Sequence, residues 1–137
     1  LGQGAWFEVT QDRVDAFAEV TGDHQWIHVD RARAAASSFG GTIAHGYLTL
    51  AMQSLLTRDW EGVRIELGQQ MTVNYGLNRV RFISPVRVGK RIRLSNKLVD
   101  VQDVAPGIHH ILVENTVDIE GEAKPAMVAE SIRRVVL

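Results

Sequence analysis

Residues 43–56 put apolar side chains on nearly every side of a helix: Ile43, Ala44, Tyr47, Leu48, Leu50, Ala51, Met52, Leu55 and Leu56. Only His45, Thr49 and Gln53 interrupt them, as one i, i+4, i+8 stripe. A helix apolar almost all round is stable in water only where other elements cover it, so this one belongs at the centre of a fold. Its cover follows from a change of period beyond residue 70. Ile92, Leu94 and Leu98 alternate with Arg91, Arg93, Ser95 and Lys97, while Ile111, Val113, Val117 and Ile119 alternate with Leu112, Glu114, Thr116, Asp118 and Glu120. A period of two is that of strands with one face on a core. Ala105-Pro106-Gly107 makes a turn between these runs, and Gly121-Glu122-Ala123-Lys124-Pro125 makes another before a strand at residues 127–136. Consecutive strands joined by short turns form an antiparallel meander. With residues 6–9 and 72–83 added, about five strands face the helix, and they bury it only by curving round it. The fold class is α+β, an antiparallel sheet wrapped round a central helix.

Ahead of that helix, Thr10 is an N-cap, Val14, Phe17, Ala18 and Thr21 fall at helical spacing, and Gly22 is a stop, giving a helix over about residues 11–20. A second short helix is expected in Asp30-Arg31-Ala32-Arg33-Ala34-Ala35-Ala36, Ala-rich with an acid at its start. The 137 residues carry no linker, repeat or low-complexity run and read as one domain, 1–137. A net charge of -1 gives no general attraction to nucleic acid or an anionic membrane. Cysteine is absent, which removes disulfides, thiolate nucleophiles and Cys-based metal centres. No apolar run reaches the roughly 18 residues of a spanning helix. The opening Leu1-Gly2-Gln3-Gly4 has neither the basic nor the apolar region of a signal peptide, so a cytoplasmic location is expected.

Chemistry must therefore come from His, carboxylates, hydroxyls or backbone. Of five histidines, three crowd into residues 24–45. Asp23 follows Gly22 at a helix end, His28 lies in the polar segment after it, and His45-Gly46 opens the apolar helix. A carboxylate and an imidazole on one loop can act as an acid/base pair. The first amides of the helix near Gly46 are suited to a developing oxyanion, and glycine allows close approach of a carbonyl.

The stretch Phe17-Ala18-Glu19-Val20-Thr21-Gly22-Asp23-His24-Gln25-Trp26-Ile27-His28-Val29-Asp30, followed by Phe39-Gly40-Gly41-Thr42-Ile43-Ala44-His45-Gly46, resembles the signature of the MaoC-like hydratases, among them the (R)-specific enoyl-CoA hydratases of fatty-acid metabolism. Gln25-Trp26 stands where the usual pattern has Asn-Pro; that variation, and Asn74-Tyr75-Gly76-Leu77-Asn78-Arg79-Val80-Arg81-Phe82, resemble the branch containing nodulation protein N. The resemblance implies a hotdog fold, Asp23 and His28 as the catalytic pair, and the Gly46 amide as the ligand of the thioester carbonyl. It also implies Ser54 in the acyl pocket and a thioester substrate carried by CoA or acyl carrier protein; that chemistry requires no cofactor or metal, and the sheet's edge strands and open pocket lead to the expectation of a homodimer.

Other readings stand beside these. Asp23 can simply close a turn, and His45 can bond a neighbouring carbonyl. Asp23, His24, His28 and His45 are metal-donor types, but their spacing matches no ligand pattern. His109 and His110 point to opposite faces of a strand and cannot chelate together. Arg79, Arg81, Arg87, Lys90, Arg91 and Arg93 suit solvated strand faces or, for one or two, CoA phosphates. Trp6, Trp26 and Trp60 suit core or interface positions, and Trp26 either narrows a substrate entrance or supports His28. A hotdog thioesterase and a non-catalytic acyl-thioester binder are the competing functions.

Overall fold

A computed structural model describes all of residues 1–137. The first helix, α1 (Gln11–Thr21), begins where Thr10 Oγ1 accepts the Arg13 N–H at 3.3 Å. It ends where Gly22, at φ 76°, adopts the left-handed turn that a residue with a Cβ resists. The next element, α2 (Trp26–Val29), is a single turn whose N-cap residue, Gln25, makes no side-chain cap bond. α3 (Arg31–Ala35) is capped by Asp30, whose Oδ1 accepts the Arg33 N–H at 3.0 Å.

The central helix is interrupted at Met52 into α4 (Gly46–Ala51) and α5 (Gln53–Leu56). Leu48, Met52 and Leu56, four residues apart, pack into a core with Val9, Val14, Ile92, Leu94, Ile119 and Met127. The helix is less enclosed than its apolar periphery suggests. Its polar stripe is not its outer face: His45 and Thr49 are each 3% exposed, whereas Tyr47 is 70% exposed and Ala51 and Ser54 lie open. His45 and Thr49 turn inward, His45 toward partners on the segment following α1, while Gln53, the third member of the stripe, stays half-buried.

Seven strands form one antiparallel sheet, two more than the sequence suggests. The additions are two-residue pairings, β1 (Gly2–Gln3) and β3 (Glu61–Gly62). The expected short strand near the N-terminus is β2 (Phe7–Glu8), paired with β5 (Arg91–Ala105). β5, β6 (Ile108–Ile119) and β7 (Met127–Val136) make the anticipated meander. β4 (Met71–Phe82) does not pair with β5, its neighbour in sequence, but crosses to β7 and becomes the sheet's edge, in the order β3-β1-β5-β6-β7-β4.

The period of two holds where the helix covers the sheet. Ile92 and Leu94 are fully buried, but Leu98 is 38% exposed although its partner on β6, Val113, is buried, and the β5–β6 register shifts between Leu98 and Asp100. Asn115 is the polar exception on the covered face, fully buried in the middle of β6. Its Nδ2 donates to Ser131 Oγ at 2.8 Å and to the Val113 carbonyl at 3.2 Å, and its Oδ1 accepts from Asn96 Nδ2 at 3.4 Å. No helix is long and apolar enough to cross a membrane.

Candidate active site

Three connections converge beside the start of the central helix. Asp23 follows the Gly22 turn, His28 sits in α2, and His45 is the residue before α4. The single turn of α2 is too short to hold itself and is fixed by bonds to other segments. The Ile43 N–H donates to the Ile27 carbonyl at 3.0 Å, and His28 Nδ1 bonds the Ile43 carbonyl at 2.7 Å. From α1, buried Gln11 donates through Nε2 to the His28 carbonyl at 2.8 Å and to Asp15 Oδ1 at 2.8 Å, while its Oε1 accepts the Thr42 hydroxyl at 2.5 Å. Gln11 thus joins both segments of the site, a role the sequence does not signal, since it looks like any polar residue in a first helical turn.

These bonds set the chemistry of His28. A carbonyl can only accept, so Nδ1 carries the proton and Nε2 keeps a lone pair. The ring is 6% exposed, and this burial is the main cause of a pKa below the usual 6.5. The bond to Ile43 opposes the shift, nearby His45 adds to it, and the Asp23 carboxylate opposes it. At pH 7 His28 is therefore a neutral imidazole. The Asp23 carboxylate is half exposed. One nitrogen or oxygen from each of Asp23, His28 and His45 lies within 4.8 Å of the others. One water can bridge groups up to about 5.5 Å apart with two ordinary hydrogen bonds.

His45 lies over His28, ring centroids 3.7 Å apart and planes 23° apart, with Phe17 tilted against it at 4.9 Å. Its Nε2–H donates to the Asp23 carbonyl at 3.0 Å, and its buried Nδ1 has no partner. His45 Nε2 stands 4.0 Å from Asp23 Oδ2, wider than the about 3.4 Å between two ligands of a tetrahedral zinc. His24 stays outside the group, bonding Glu19 at 2.6 Å on the surface.

Gly46 begins α4 beneath the Phe82 ring, where a Cβ would come within 2.9 Å of Phe82 Cγ. Its N–H has no acceptor four residues back inside the helix, as at any helix start. Ser54 is brought to a different place, roughly 12 Å further along the helix. It lines an open cleft of about 620 Å³ with Leu50 and Ala51, Tyr75 and Leu77 of β4, and Arg133 of β7. Neither Asp23, His28 nor Gly46 lines that cleft.

Of the basic stretch, Arg91 pairs with Glu120, Arg79 with Glu130 at 3.8 Å and Lys90 with Glu122 at 4.0 Å, and Arg93 covers Trp6 at 4.3 Å. His109 bonds Asp103 at 2.7 Å, while buried His110 accepts from Arg134 Nε at 3.1 Å, so the neighbouring imidazoles have separate partners. The Trp26 indole lies under the Arg33 guanidinium at 4.3 Å, joining α2 to α3.

A curved antiparallel sheet round one helix, with a carboxylate and a neutral imidazole held together beside the helix start, defines a protein with a hotdog framework and a candidate acid/base pair. Residues 1–120 match the family described as the MaoC like domain, and the chain belongs to that family of hydratases and dehydratases. It is 52% identical over 136 residues to 3-hydroxyacyl-thioester dehydratase Z of Mycobacterium tuberculosis, covering 99% of this chain and 88% of that protein. It is 45% identical over 133 residues to nodulation protein N of Rhizobium leguminosarum bv. viciae, covering 96% and 81%. The fold matches the solved (R)-hydratase from A. caviae involved in PHA biosynthesis with a TM-score of 0.74, at 23% identity, over 97% of this chain and 94% of that one.

Proposed function

We propose that the protein catalyses the reversible addition of water to trans-2-enoyl thioesters, giving (R)-3-hydroxyacyl thioesters, as a cytoplasmic (R)-specific enoyl-CoA hydratase. The reading is carried by one observation: a ring nitrogen of His28 and a carboxylate oxygen of Asp23 lie within 4.8 Å, a span that one water can bridge. In the forward direction the water oxygen bonds to C3, its proton passes to the pair, and the pair returns a proton to C2. Negative charge gathers on the thioester oxygen in between, where the Gly46 N–H stabilises it. Dehydration is the same path reversed. Asp23 and His28 act together on the shared water, and neither is assigned alone as the base. The reaction draws on no metal or organic cofactor. Ser54 belongs to the acyl pocket in this reading, at the open cleft rather than beside the pair.

The working unit is a homodimer. β4 is paired on one side only, by β7, and presents Met71, Val73, Tyr75 and Leu77 at 43–54% exposure. An apolar, one-sided edge strand invites a second strand, and two copies meeting there make a continuous sheet and wall the Ser54 cleft.

The test is loss of enoyl-thioester absorbance with crotonyl-CoA and longer enoyl-CoAs, alongside a free-thiol assay. Loss of absorbance without thiol release is expected. Thiol release would make the protein a thioesterase, and binding without turnover would make it an acyl-thioester binder. Repeating the assay with enoyl groups on acyl carrier protein assigns the carrier.

A further inference from the structure

We infer that His45 is a positioning residue for the Asp23–His28 pair, holding carboxylate and imidazole at the separation one water must span. The inference rests on the proposed hydration reaction and adds to it a residue that does no chemistry itself. His45 is the N-cap residue of α4, where Ser, Thr, Asp or Asn normally bonds the first amides, yet its side chain makes no cap bond. The ring turns instead toward the loop after α1. There it touches both members of the pair by different means: its face lies on His28 at 3.7 Å, and its Nε2–H holds the Asp23 carbonyl at 3.0 Å. Stacking restricts rotation of the His28 ring, which its bond to Ile43 already orients. The carbonyl bond fixes the backbone from which the exposed carboxylate projects, and no other side chain bonds that carbonyl.

A role in packing alone does not explain a histidine here. The site is 3% exposed between Phe17 and His28, and Nδ1 is buried without a partner, a state that costs stability. Phenylalanine fills the same slot and avoids that cost. What phenylalanine lacks is the Nε2–H. The titratable groups facing His28 are Asp23 and His45, and its remaining polar contacts, Gln11 and the Ile43 carbonyl, are neutral. Two imidazoles stacked face to face resist double protonation, so His45 also helps keep His28 neutral.

Two variants separate the contacts. His45→Phe keeps an aromatic face on His28 and loses the bond to Asp23. His45→Gln carries an amide nitrogen at the same reach as Nε2 and loses the stack. Each is assayed for kcat and KM on crotonyl-CoA, and the His28 titration is followed by NMR of labelled imidazole without substrate. In His45→Phe, kcat should fall about tenfold to a hundredfold with KM within about twofold, because the reacting groups are displaced rather than removed. Its His28 pKa should move up toward the usual value. His45→Gln should recover part of the lost kcat. A folded His45→Phe protein with unchanged kcat and an unmoved His28 titration overturns the positioning role. Asp23→Asn and His28→Ala serve as controls. Normal turnover in both overturns the proposed reaction itself, whereas loss in both with none in His45→Phe overturns only the role of His45.

Discussion

The two faces of the central helix differ in how completely they are satisfied. On the closed face, His45 and Thr49 are buried against the connection through α1 and α2, and Gln11, His28 and Ile43 exchange hydrogen bonds across three segments. On the open face, Tyr47 is exposed, and Ala51 and Ser54 line a cleft walled by an edge strand whose apolar side chains are half exposed. The closed face resembles a finished protein interior, and the open one a surface awaiting substrate and partner. Groups that move protons need fixed separations, whereas a pocket for variable chains needs room. On the proposed function, the helix keeps the two requirements on different faces.

Breaking the closed face should have the largest effect. Asp23→Asn and His28→Ala are each expected to cut hydration about 10²–10⁴-fold, the usual contribution of an acid/base group, while circular dichroism and thermal melting show a folded protein. Gln11→Ala leaves the His28 carbonyl and the Thr42 hydroxyl without their partner and should destabilise the fold by about 1–3 kcal/mol in a denaturant titration.

The pH dependence sharpens the same side. Because the folded His28 pKa is lowered, the unfolded chain takes up a proton before the folded one does as pH falls. Its contribution to stability is whole above the usual 6.5 and is lost as pH drops from there through the lowered folded value. The acid limb of the kcat/KM profile should accordingly lie below 6.5, and a limb above it would contradict a buried neutral imidazole.

The open face should respond least. Leu77→Lys is expected to change the unfolding free energy of the protomer by no more than about 0.5 kcal/mol, yet to produce monomers in sedimentation at micromolar concentration. Ser54→Ala is smaller still, a change in KM of roughly twofold with kcat kept, since its hydroxyl stands apart from the reacting pair. A large loss of kcat in Ser54→Ala would merge the two faces into one site.

What was legible in the sequence follows the same division between local and distant causes. α1 could be bounded because Thr10 and Gly22 act within one turn of themselves. The Asp23-to-His28 spacing could be read because both residues lie on one short segment. α2 could not: Gln25 gives no cap, and Trp26–Val29 is helical through bonds to Gln11 and Ile43 that no local pattern encodes. The inward turn of His45 escaped for the same reason, since its partners lie 17 and 22 residues back. The long strands were evident from their period, but the pairing of β4 with β7 and the two-residue strands β1 and β3 depend on the closed sheet. The alternation also could not tell that the register of β5 on β6 shifts after Leu98, or that Leu98 and Val101 are exposed although they continue the same strand.

Asn115 has a consequence for how the chain avoids misassembly. Sliding β6 along its neighbours by two residues keeps every apolar side chain on its proper face, so hydrophobicity alone accepts the error. Asn115 does not. Its amide meets Ser131 and Asn96 together in the native alignment, and a slip that carries it away from them leaves it in an apolar layer at the cost of an unmet buried amide. One asparagine thus acts as a proofreading mark for the meander, favouring a single alignment among several equally oily ones.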